Sequence, residues 1–112
     1  MLRVESGGSV VLLTGDVEPE AQRDLLRLGH DLRADVLKVP HHGSRHQEPA
    51  FLAAVDPAVV VTSVGADNTY GHPSAPLLEG LVAGGAVSYR TDLDGDVALA
   101  TRGGRLVVVA RG

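Results

Sequence analysis

The chain has 112 residues, with 10 basic and 14 acidic side chains for a formal net charge of −4, a length that fits one small domain. Apolar residues make up 44%, which excludes a disordered chain, and the lack of cysteine excludes disulfides, thiolate metal sites and cysteine nucleophiles. The acidic balance argues against a nucleic-acid coat held by bulk charge but leaves room for a local phosphate site, and no apolar run approaches the roughly 18 residues of a membrane span.

Strand and helix signals alternate along the chain. Leu2–Ser6 and Ser9–Thr14 flank Gly7-Gly8 and predict a β-hairpin. After the break at Gly15-Asp16, Pro19 and Glu20 suit the start of a helix. Its apolar stripe is expected from Ala21, Leu25 and Leu28, with Gly29 as the stop. Val36–Val39 predicts a strand, Pro40 to Gln47 a turn-rich loop, and Pro49 to Val55 a short helix ended by Asp56-Pro57. Ala58–Ser63 has the near-continuous apolar character of a strand buried on both faces. A loop from Gly65 to Pro73 follows. Ser74 then caps a helix whose inner face is Leu77, Leu78, Leu81 and Val82. Three strands, Ala86–Arg90, Val97–Thr101 and Arg105–Ala110, close the chain. The order ββαβαβαβββ predicts an α/β layer.

Ligand-type side chains gather at strand ends. Asp16 follows VVLLTG, His41, His42 and His46 follow VLKV, and His72 lies in the loop after VVVTSV. Three consecutive strands thus deliver them at their C-terminal ends, where open α/β sheets place their sites. Neutral imidazole and carboxylate suit zinc, manganese or iron. Each residue also has a plainer reading: Asp16 as a turn residue, His72 as part of a rigid turn begun by Asn68. Two adjacent histidines in a loop are harder to explain by packing, so His41-His42 point to metal. His46 and His30 read as surface residues. Asp92, Asp94 and Asp96 lack calcium-loop spacing and predict a turn.

LLTGD at 12–16, VLKVPHHGS at 36–44, TSVGADNTYGHP at 62–73 and YRTDLDGDV at 89–97, in this order and spacing, resemble one family. It is the metallo-β-lactamase-type hydrolase domain at the end of the competence protein ComEC. The resemblance covers the chain from about Val10 onward. It implies an αββα sandwich of two mixed sheets and a metal-dependent phosphoesterase in a channel protein of the bacterial cytoplasmic membrane, one that degrades the DNA strand not imported. It also implies that Asp16 bridges two metals, zinc or manganese, and that His42 binds one of them, with His41 as the alternative. His72 and His41 then take catalytic roles near the substrate phosphate, and Ser44, Arg45 and Asn68 bind phosphate oxygens.

The family's H-x-H-x-D-H block, which precedes LLTGD, has no counterpart here. The expectation is therefore a single partial domain over residues 1–112, the second half of the sandwich, inactive by itself. Its expected partners are the missing N-terminal half or a second copy of itself, with single-stranded DNA or another phosphodiester as substrate. Two rival expectations are a catalytically inactive α/β interaction module and a fragment of a phosphorylcholine-esterase-like hydrolase.

Overall fold

A computed structural model describes residues 1–29, 31–65 and 73–111. The elements are β1 (Leu2–Ser6), β2 (Ser9–Leu13), α1 (Pro19–Arg27), β3 (Val36–Lys38), a 3-10 turn (Pro40–Gly43), α2 (Pro49–Val55), β4 (Val59–Thr62), α3 (Ala75–Ala83), β5 (Val87–Arg90), the one-turn α4 (Thr91–Asp94), β6 (Asp96–Arg102) and β7 (Arg105–Arg111). The expected order is present, with the 3-10 turn and α4 added to it.

β1 to β5 form one sheet in sequence order, and β6 and β7 form a separate two-stranded sheet. β1 pairs antiparallel with β2 through Gly7-Gly8, both at positive φ, the twist-matched geometry of a two-residue hairpin. β2, β3, β4 and β5 then run parallel. Parallel neighbours require crossovers, and α1, α2 and α3 supply them. All four C-terminal strand ends consequently lie along one edge.

Leu12, Leu37 and Val60 stand side by side in register on one face of the sheet. With Val39 they pack against Phe51 and Val55 of α2, and Leu25, Leu26, Leu77 and Leu81 lie around that cluster. The stripe of α1 differs from the expectation. Its inward residues are Gln22, Leu25 and Leu26, while Ala21 is exposed and Leu28, at the C-cap, is 72% exposed. Two buried glutamine hydrogen bonds, described below, turn the helix this way. In α3, Leu78 is buried and Val82 is exposed, so the inner face is narrower than Leu77 to Val82. α2 ends with Asp56 in the left-handed region rather than in extended backbone.

On the opposite face the register aligns Leu2, Leu13, Lys38, Val61 and Tyr89, and next to them Val4, Val11, Val36, Val59 and Val87. Val36 and Val59 at its centre are buried, but Leu2, Val4, Leu13 and Val87 are exposed. The β6–β7 hairpin touches the sheet at the β1–β2 turn, where Thr101 packs on Gly7 and its Oγ1 donates to the Ser6 carbonyl. Among the described residues no helix is long and apolar enough to cross a membrane.

Candidate functional site

The buried Thr14 follows β2, and its Oγ1 donates to the Lys38 carbonyl at 2.5 Å. That bond ties the end of β2 to the end of β3. Gly15 then reverses the chain at φ +58, and the Val17 amide donates to the Thr14 carbonyl at 3.3 Å. Asp16 stands on this short turn.

The segment after β3 is held from two sides. Gln47 Nε2 donates to the Pro40 and Ser44 carbonyls, each at 2.9 Å, so one amide brackets the 3-10 turn. Gln22 Nε2 donates to Gln47 Oε1 at 2.8 Å, and the Glu48 amide donates to Gln22 Oε1 at 2.8 Å, linking α1 to the start of α2. On the other side Gly43 is at φ +80, and a Cβ there would collide with Pro73 Cβ and lie 3.0 Å from Thr62 Cγ2. The Ser74 amide donates to the Gly43 carbonyl at 2.7 Å. Glycine is thus required where this turn lies against the end of β4 and the start of α3.

His42 occupies the left-handed region at φ +52, uncommon for a residue with a Cβ and a mark of local strain. Its Nδ1 lies 2.8 Å from the Ser63 carbonyl oxygen. A carbonyl only accepts, so Nδ1 carries a proton, and in the neutral ring Nε2 is then left with its lone pair. Nε2 faces Asp16 Oδ1 at 3.7 Å, with the two side chains 50% and 68% exposed. Two donors on one tetrahedral ion, bound at the usual 2.0–2.2 Å, stand about 3.3–3.5 Å apart. The Asp16–His42 spacing is a few tenths of an ångström wider, and a ring nitrogen anchored to a carbonyl is the usual companion of a metal-facing imidazole. These two residues fit a metal's shell in part. Among the described residues no three His, Asp or Glu side chains come together as a metal-binding group.

The structure brings Asp16 and His42 together as the strand-end argument expects. His72 and Asn68 lie outside the described residues, as does His30, and so does the side chain of His41. Ser44 is buried, and its Oγ accepts from the His46 amide at 3.2 Å, which braces the loop. Arg45 is exposed and lines a cavity of about 810 Å³ between α2 and α3, together with Leu52, Pro57, Leu77 and Leu81. His46 is exposed, as expected.

Sequence reasoning passed over the residues that brace this edge. The expected aspartate turn is α4, where Arg90 Nε and Nη2 grip both Asp92 oxygens at 3.0 and 2.6 Å. The hydrogen-bonded guanidinium holds the Asp92 carboxyl below its ordinary range. Thr91 Oγ1 accepts from the Val64 amide at 2.8 Å and donates to the Val64 carbonyl at 3.0 Å. Gln22 and Gln47 left no pattern in the sequence, since a glutamine bound to backbone carbonyls has the same composition as one in solvent. Position alone offered a signal for Thr91, which follows a fourth strand at the same edge.

No family model matches the chain. It is 35% identical over 98 residues to ComE operon protein 3 of Bacillus subtilis (strain 168), covering 87% of this chain and 13% of that protein. It is 38% identical over 97 residues to Competence protein ComA of Neisseria gonorrhoeae, covering 85% of this chain and 14% of that one. Recombination protein 2 of Haemophilus influenzae is 36% identical over 83 residues, 72% of this chain and 10% of that protein. The chain therefore spans about an eighth of the length of the first two relatives (13% and 14%). These relatives point to the competence-protein family that includes ComE operon protein 3.

Proposed function

We propose that this chain supplies one carboxylate and one imidazole to the divalent-metal site of a phosphodiesterase, and that it serves competence by degrading a DNA strand during uptake. The observation that carries this reading is the Asp16–His42 pair, 3.7 Å apart at the C-terminal sheet edge, with the far ring nitrogen anchored to the Ser63 carbonyl. The relatives named for competence support the setting. The proposed fold is one leaf of an αββα sandwich of the metallo-β-lactamase type. The sheet has helices on one face and exposed apolar side chains on the other, as such a leaf requires.

When bound, a zinc or manganese pair supplies hydroxide at neutral pH and offsets charge on the leaving oxygen. Asp16 contributes an oxygen donor from a short turn, and His42 contributes Nε2 with its proton kept on Nδ1. His41 and His72 are proposed to face the substrate phosphate, with Asn68 and Arg45 as further contacts. The remaining metal donors come from an H-x-H-x-D-H block, which residues 1–112 do not contain.

The test mixes this chain with a separately produced polypeptide carrying that block, and adds manganese and an activated phosphodiester. Turnover is expected in the mixture, negligible with either component alone, and reduced at least a hundredfold by Asp16→Ala. A folded mixture that binds manganese yet cleaves nothing would leave a non-catalytic interaction module as the better reading.

A further inference from the structure

Thr91 is not adjacent to Asp16 or His42, yet its hydroxyl acts on the same peptide group that holds the histidine ring. The Ser63–Val64 peptide offers its carbonyl oxygen to His42 Nδ1 at 2.8 Å and its N–H to Thr91 Oγ1 at 2.8 Å. A trans peptide is planar, with C=O and N–H pointing opposite ways, so fixing the N–H direction fixes the carbonyl direction. The same hydroxyl donates onward to the Val64 carbonyl at 3.0 Å, which leaves it one orientation. Hydrogen bonds in such a chain polarise one another, so a peptide that donates on one side accepts better on the other.

Thr91 is itself held in place. The Arg90 amide donates to Asp94 Oδ2 at 2.7 Å across the single turn of α4, and the Arg90 guanidinium grips Asp92. Val64 is buried, so its polar backbone groups have little access to water.

We propose that Thr91 is a positioning residue that sets the tautomer and orientation of the His42 ring through the Ser63–Val64 peptide, keeping the proton on Nδ1 and the Nε2 lone pair toward Asp16. This rests on reading His42 as a donor that faces a ligand. It concerns the ring's resting state, which exists with or without that ligand.

The test is a long-range ¹⁵N–¹H spectrum of the histidine rings of the metal-free chain, at one fixed pH well above the ordinary histidine range. Wild type and Thr91→Ser are expected to show His42 protonated at Nδ1. Thr91→Val has the same shape without the hydroxyl, and is expected to show a mixture with a substantial Nε2–H population. The backbone amide spectrum confirms that each variant is folded. An unchanged ring pattern in folded Thr91→Val overturns the proposal. So does Nε2–H in the wild type, a result that needs no variant to fold. Zinc titration of the same samples separates the two readings. Affinity about tenfold weaker in Thr91→Val than in Thr91→Ser supports both. A wild type that takes up no zinc removes the metal reading, and the ring spectrum then decides the Thr91 clamp alone.

Discussion

His42 is held in a conformation that its own side chain disfavours. The left-handed region costs a residue with a Cβ about 1–2 kcal/mol. The Nδ1–Ser63 hydrogen bond returns about 0.5–1.5 kcal/mol. The two nearly cancel, so the imidazole contributes little to stability, and strain of this kind gathers at functional positions. His42→Gly is therefore expected to unfold within about 1 kcal/mol of the wild type in a urea titration while losing metal uptake. A loss well beyond that, on the scale of a core truncation, would mark His42 as a structural residue. Arg90 and Asp92 behave differently. Each is paired bidentately with the other, and their role is to hold the turn that carries Thr91.

At the scale of elements, the edge is shaped by tethers between loops and helices. Gln47 is the central one, bound to two carbonyls of the 40–44 segment and to Gln22 of α1. Gln47→Ala leaves those part-buried groups without partners, at about 1–3 kcal/mol for each that water fails to reach. The expected loss is at least about 2 kcal/mol by chemical denaturation, whereas exposed His46→Ala should fall within about 0.5 kcal/mol of wild type. Equal effects would show that the bracket contributes nothing. The strands and helices were legible because their apolar spacing, prolines and glycine pairs act locally: Gly7-Gly8 at positive φ and Ser74 at its cap appear where the sequence places them. The parallel neighbours β2, β3 and β4 were likewise legible, and from them the meeting of Asp16 with His42. What was not legible depends on long-range polar contacts. The inward Gln22 and the clamp of Thr91 on Val64 are set by partners 25 and 27 residues away. No local pattern encodes them.

For the whole molecule, the sheet is well covered on its helical face and only partly on the other. Leu2 and Leu13 are paired in register, and Leu2 and Val87 are 58% and 54% exposed. Fully burying an aliphatic side chain of this kind contributes roughly 1.5–3 kcal/mol, so several on one face favour association. Light scattering should show a mass that rises above one chain with concentration, and Leu13→Lys should return it toward the monomer without loss of helical signal. A wild type that stays monomeric at all accessible concentrations would contradict this. Asp16 and His42 are proposed to hold one divalent ion between them, and calorimetric titration of zinc or manganese into the chain measures that uptake. Weak uptake is expected, because a tight site needs about four donors and this pair supplies two. Asp16→Ala and His42→Ala should each abolish that uptake in a folded chain. Uptake of unchanged strength in both variants would place the ion elsewhere and remove these two side chains from its shell.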